Sequence, residues 1–311
     1  MHIRTNKTLN IIFRPILLFC EWLGEHYPKT LVQLRYLARF KKPLHLSNPK
    51  TLNEKILYLS LRTDTTLWTT CADKYAVREY VKSCGLEDTL VKLYGVWDKI
   101  EDIDFSKLPN EYIIKTTHGS GDVTIVKENR AFDNATIVPY YTKELSKRYG
   151  AIEGGIHYMR IKPRLIVEEL LHNDAESLKY STSIIDYKIW CFNGKPYYIW
   201  ACCNRTKNDV DVMTYDTEWN AHPEFSRFTG HYRKGSIIPK PKNLHAMLKD
   251  AEILASPFPC VRVDLYNING KIYFGELTFT SLGGLMDFYT DEFQLLAGSK
   301  IDLSQVQTVN R

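Results

Sequence analysis

Two carboxylates and a guanidinium recur at short spacing in the stretch from Pro259 to Gly284, PCVRVDLYNINGKIYFGELTFTSLGG. Alternating runs flank Asn269-Gly270, which predicts a β-hairpin. A two-residue loop would send Asp264 and Glu276 to opposite faces. A three-residue loop, Ile268-Asn269-Gly270 with Gly270 left-handed, pairs Arg262 with Glu276 and Asp264 with Phe274. Arg262, Asp264, Glu276 and Thr278 then share one face, and Val261, Val263, Leu265, Leu277 and Phe279 share the other. The clean apolar face favours the three-residue register. Neighbouring carboxylates repel unless a positive charge lies between them. Arg262 supplies one, and a bound cation would supply another. Two hard oxygen donors suit Mg²⁺ carried on nucleotide phosphates. The competing reading is a salt bridge on a solvated sheet face.

Other residues upstream have charge or backbone suited to an anion. Lys74 and Arg78 lie four apart in a predicted helix opening at Asp73 and ending at Gly85. Gly119-Ser120-Gly121 falls between two β-rich runs, four residues after Lys115. The spacing is not that of a Walker A loop, and no helix follows. Two glycines around a serine still expose backbone N–H groups to a phosphate, although an ordinary hairpin turn has the same composition. RLIVEELL, residues 164–171, predicts a buried strand emerging into Glu168-Glu169. DYKIWCFNGKPYYIWACC, residues 186–203, predicts a second Asn-Gly hairpin with Asp186, Lys188 and Trp190 on one face. Asp209-Val210-Asp211 matches the short metal motif of many nucleotide-sugar glycosyltransferases, within a polar, loop-like region, 204–240.

The elements that must position these groups follow from composition and punctuation. The chain has 311 residues, 44% of them hydrophobic, enough for a large core in one domain or a few smaller ones. Net charge is +5, but residues 1–50 hold nine Lys or Arg and two Glu. The remainder is slightly acidic, which argues against a nucleic-acid binder. Seven Cys without any C-x-x-C suggest neither a disulfide framework nor a zinc site, and fit a reducing, cytoplasmic setting. Leu9–Leu23 is split by Arg14-Pro15 and is too short to span a bilayer. Residues 9–40 are predicted helical, as a basic amphipathic segment that packs on the core or rests peripherally on a membrane face or lipid-linked glycan. Thr51 and Glu54 form a capping-box pattern for a helix to about Leu61. Short strands are expected at 89–97 and on both sides of the glycine loop, and helices at 139–149, 244–255 and near the C-terminus.

These pieces, in this order, resemble an ATP-grasp enzyme. NPKTLNEK (48–55), DKYAVREYV (73–81), IIKTTHGSG (113–121), DYKIWCFNGKP (186–196) and VRVDLYNINGKIYFGELTFT (261–280) resemble the TupA-like ATP-grasp family, tied to teichuronopeptide and capsular polysaccharide synthesis. The resemblance implies an α+β fold in which two subdomains clasp ATP between antiparallel sheets. It implies a helical basic segment at 1–70, an N-terminal lobe at 71–175 and a C-terminal lobe at 176–311. Lys74 and Lys115 would bind ATP phosphates, with Gly119, Ser120 and Gly121 closing over them. Glu168, Glu169 and Leu171 would lie on the adenine strand, Asp186 would hold the ribose, and Lys188 would stand nearby. Asp264 and Glu276 would ligate Mg²⁺, joined by Thr278 where ATP-grasp ligases generally carry Asn. Arg262 would steady an acyl-phosphate and its tetrahedral successor, with Lys115 as the second catalytic cation. The implied activity is an ATP-dependent carboxylate–amine ligase whose substrate, a small molecule or glycan, brings a carboxylate and an amine. Its rivals are a glycosyltransferase using Asp209 and Asp211, and a non-catalytic nucleotide-binding protein.

Overall fold

In the computed structural model, residues 7–128 and 134–309 are described. The predicted N-terminal helical region is two helices, α1 (Lys7–His26) and α2 (Pro28–Phe40). Pro28 at the first position of α2 sets the break, because its ring cannot continue α1 but is pre-shaped to start a new helix. α3 (Leu52–Arg62) starts as expected: the Thr51 hydroxyl accepts from the Glu54 N–H, and the Glu54 carboxylate accepts from the Thr51 N–H. α4 (Thr66–Ala72) and α5 (Val77–Ser83) follow. The helix expected to open at Asp73 begins later. The Asp73 carboxylate accepts from the N–H groups of Tyr75 and Ala76, which fixes Lys74–Ala76 as a turn. Lys74 therefore precedes the helix that holds Arg78, and the two do not share its face.

The smaller sheet contains β1 (Leu93–Trp97), β2 (Tyr112–Thr116), β3 (Thr124–Val126) and β4 (Leu165–Glu168) in the antiparallel order β1-β4-β2-β3. α6 (Asn134–Leu145) covers it, starting and ending several residues earlier than 139–149. The short α7 (Ile156–Met159) follows. The chain leaves β4 at Glu168 and reaches the larger sheet at Asp186. That sheet contains β5 (Asp186–Phe192), β6 (Lys195–Cys203), β7 (Val210–Asp216), β8 (Tyr232–Lys234), β9 (Cys260–Ile268) and β10 (Lys271–Thr278), in the order β10-β9-β5-β6-β7-β8. All its pairs are antiparallel except β7–β8. β7 corrects the expectation of a loop at 204–240: Val210, Val212, Met213 and Tyr215 are buried in the sheet. Polar neighbours on both sides hid it.

α8 (Leu244–Ala255) and α9 (Asp291–Ser299) complete the fold. The main core joins the larger sheet to Leu52, Ile56 and Leu59 of α3, Trp68 and Cys71 of α4, and Val77 and Val81 of α5. A separate small core under the first sheet gathers Tyr112, Ile114, Leu165 and Val167. Two sheets with two cores leave a cleft between them.

Candidate active site

The β9–β10 hairpin builds one wall. Its turn has two residues, Asn269 and Gly270, both at positive φ, and Ile268 pairs with Lys271. The three-residue loop expected from sequence is therefore corrected. The shared face survives for another reason. A bulge at Gly275 shifts the register, so that Glu276 pairs with Asp264 and Thr278 with Arg262. A Cβ at Gly275 would stand 2.9 Å from the Asp264 carbonyl oxygen, so glycine is what lets the strands approach there.

Arg262 ties this face together. Its Nε and Nη2 donate to the two Asp264 carboxylate oxygens at 2.7 Å each. Nη2 also donates to Glu276 at 3.2 Å and to the Thr278 hydroxyl at 3.0 Å, and Nη1 donates to Ser281 at 2.7 Å. The Thr278 hydroxyl donates to Glu276 at 2.9 Å. From β5, Lys188 bridges Asp264 and Asp186, the latter at 2.6 Å. Burial alone would lower the Lys188 ammonium, but Asp186 and Asp264 outweigh it and hold it raised. Burial pushes the Glu276 carboxyl up, yet the charges of Lys188, Arg262 and Lys74 together pull it down to about 2. Burial pushes the Asp264 carboxyl up, and the charges of Arg262 and Lys188 pull against that shift.

The opposite wall comes from the smaller sheet. β2 ends at Thr116, whose N–H donates to Asp122 at 2.8 Å and whose hydroxyl accepts from the Gly119 N–H at 3.1 Å. The loop 117–123 is thus pinned at its base. The Lys74 ammonium donates to the Gly119 carbonyl and makes no ion pair among the described residues. Burial lowers it, and Glu276 partly offsets the shift. Lys115 pairs with Glu168 at 2.6 Å, and Arg78 joins the same carboxylate at 3.1 Å.

A cleft of about 500 Å³ lies between the walls. Lys74, Lys115, Gly119, Ser120, Gly121, Asp186, Lys188, Arg262, Asp264, Glu276 and Thr278 all line it. Glu168, Glu169 and Leu171 do not. Glu168 stands behind Lys115 as its counter-ion, and the Glu169 N–H donates to the Lys92 carbonyl at 3.0 Å. Asp209 and Asp211 also stay out of the cleft, held by Arg233 at 3.7 and 2.9 Å. Sequence reasoning missed Tyr149, Glu153, Tyr158, Arg205 and Leu282, which also line the cleft. Gly150, Gly154 and Gly155 around the first three were a turn signal without chemistry attached. Leu282 lines the cleft at φ 51°, a strained backbone for a leucine.

Asp264 and Glu276 are opposed carboxylates, an all-oxygen donor pair that fits a hard divalent cation. Among the described residues no three His, Cys, Asp or Glu side chains stand close enough to hold a metal by themselves. The pair therefore suits an ion that brings its remaining ligands as phosphate and water. Asp186 keeps one buried carboxylate oxygen unpartnered on the cleft wall, as does the Trp200 indole N–H. Buried groups of that kind take a polar ligand or an ordered water.

A model of the TupA-like ATPgrasp family matches residues 54–302. No curated protein matches the chain in sequence. Among solved structures, a D-alanine–D-alanine ligase from Bacillus anthracis complexed with ATP is similar at 15% identity and TM-score 0.41, over 70% of this chain and 58% of that one. The D-alanine–D-alanine ligase from Helicobacter pylori gives 16% and 0.42, over 82% and 68%. An L-amino acid ligase from Bacillus licheniformis gives 13% and 0.44, over 75% and 49%. The chain spans about half to two-thirds of the length of these three enzymes. The glycine loop and the acid–arginine hairpin both fall inside the family match, and the chain belongs to the TupA-like ATP-grasp family.

Proposed function

We propose that the protein is an ATP-dependent carboxylate–amine ligase that works through an acyl-phosphate. One observation supports this most: the glycine loop with Lys74 and Lys115 faces the Arg262–Asp264–Glu276 hairpin across a single cleft. Phosphoryl transfer needs positioning and charge neutralisation more than covalent chemistry from the protein. Lys74 and Lys115 bind and orient the phosphates, and the 119–121 backbone covers them. Asp264 and Glu276 would hold Mg²⁺, which neutralises charge between phosphate oxygens when bound. A substrate carboxylate oxygen attacks the γ-phosphorus, the bond to ADP breaks, and an acyl-phosphate forms. An amine nitrogen then attacks the carbonyl carbon, phosphate leaves, and the ammonium proton is lost to solvent. Arg262, buried and already carrying four hydrogen-bonded partners, steadies the negative charge that builds on the carbonyl oxygen. The substrates fitting this reading are an amino acid or amine and a sugar acid or amino acid, joined in the synthesis of a cell-surface polysaccharide.

The test is incubation with ATP, Mg²⁺ and a panel of uronic acids and amino acids, with ADP and phosphate measured separately. ADP formation should need both an acid and an amine. Glu276→Ala and Lys115→Ala should each lower it by about 10²-fold or more. ADP release without an amine-dependent product, or full activity in both variants, would refute the ligase.

A further inference from the structure

The α1 helix divides into two halves with different surroundings. The second half is fixed to the body. Leu23 and Gly24 are buried, and a Cβ at Gly24 would stand 1.8 Å from the Ala151 carbonyl oxygen. Glu25 pairs with Arg148 at 2.6 Å. Upstream, Ile16, Leu17, Leu18 and Phe19 are four consecutive apolar residues, each 51–58% exposed. Successive helical positions turn by about 100°, so these four point to all sides of the helix. Trp22 and Tyr27 continue the patch at 47% and 55%, with Trp22 stacked on Phe19 and His26. An apolar helix segment with no covered side requires a low-dielectric partner.

The charge pattern selects that partner. Residues 1–50 hold nine Lys or Arg against two Glu, and Arg148 neutralises one of the two. Arg14 and Lys29 flank the patch in sequence, Lys41 and Lys42 follow α2, and all four are exposed. Basic residues around an apolar, Trp- and Tyr-bearing helix complement an anionic lipid surface, where aromatic rings sit at headgroup level and each nearby basic residue adds about fivefold in affinity. No helix among the described residues is long and apolar enough to cross a membrane, so α1 would lie in the surface rather than span it. We infer that residues 14–27, the second part of α1 and the Tyr27 that follows it, dock the protein on an anionic bilayer. Gly24 and Glu25 pack on the 148–155 turn, whose Tyr149 and Glu153 line the cleft. Docking therefore places that wall of the cleft near the lipid surface.

The experiment pellets the full chain with vesicles of phosphatidylcholine alone and with vesicles containing about one-third phosphatidylglycerol. Binding should appear on the anionic vesicles and weaken in high salt. Phe19→Glu with Trp22→Glu should reduce it by more than about tenfold while the melting temperature stays unchanged, because both side chains are solvent-exposed. Lys41→Glu with Lys42→Glu should reduce it by more than about tenfold as well. Failure to pellet with either vesicle, or undiminished binding by the Phe19/Trp22 variant, would overturn the inference. So would a dimer in sedimentation equilibrium that the Phe19/Trp22 variant abolishes without any vesicle binding, which would assign the patch to a second copy of the chain.

Discussion

The two hairpins that face each other across the cleft are built on opposite plans. On β9–β10, Arg262, together with Lys188 from the neighbouring β5, occupies both oxygens of Asp264, and the two cations reach Glu276, Thr278, Ser281 and Asp186. Every one of those groups has partners before a nucleotide arrives. β2–β3 has three paired positions, Tyr112–Val126, Ile113–Ile125 and Ile114–Thr124, and then a loop pinned mainly through Thr116 and Asp122. Val123 and Ile125 are 49% and 57% exposed. One wall is a pre-organised platform, and the other is a lightly held cover. Under the proposed ligase function, catalysis by charge stabilisation would benefit from the first, and entry and release of ATP from the second.

That contrast can be broken most severely at Arg262. Arg262→Ala leaves Asp264 buried with one cationic neighbour and should cost about 3–5 kcal/mol in urea unfolding, together with all ATP-dependent activity. Wild-type stability would show that the platform is not held by its ion network. Gly275→Val pushes a branched side chain against the Asp264 carbonyl, and a loss of about 1–3 kcal/mol is expected, with activity falling as the bulge relaxes. Acid titration tests the same wall. Glu276 has a folded value of about 2, below its ordinary 4.5. Its contribution is complete above about pH 4.5 and is lost as pH falls toward 2, so Glu276→Gln should flatten stability against pH across that window.

On the cover, effects should move from stability to affinity. Lys74→Ala removes a cation that makes no ion pair among the described residues, so the melting curve should barely shift while ATP binds about ten- to a hundredfold more weakly by calorimetry. The smallest effect is expected from Gly121→Ala. Its φ of 80° costs an alanine about 1 kcal/mol, and the Michaelis constant for ATP should rise severalfold with the larger sheet unaffected. Equal losses of stability at Lys74 and Arg262 would erase the distinction between the walls.

The sequence exposed most of this site because its residues are local. Arg262 and Asp264 alternate on one strand, Lys115 and Gly119–Gly121 share one hairpin, and Asp186 and Lys188 share another. Period-two alternation sorts such groups onto faces without any tertiary knowledge. Where the reading went astray, local pattern competed with packing. Alternation favours a three-residue turn because only that register, without a bulge, keeps Val261, Val263, Leu265, Leu277 and Phe279 on one apolar face. The real device, Gly275 at a close strand approach, has no composition cue apart from the glycine itself. The polar flanks of β7 dominate a short apolar run and predict a loop, while burial between β6 and β8 makes it a strand.

Hairpin alternation and the capping box at Thr51 were enough to place individual elements and to put Arg262 on one face with Asp264 and Glu276, while the ATP-grasp fold followed from the resemblance of the ordered motifs to that family. Tertiary structure alone decided which of those charges meet. It placed Glu168 behind Lys115, kept Asp209 and Asp211 on Arg233, and brought Tyr149, Glu153 and Tyr158 into the cleft from a turn more than 100 residues before the hairpin they face. Side-chain type and face are set within a few residues, whereas the pairing of charges across a cleft depends on how two separate cores come to rest against each other.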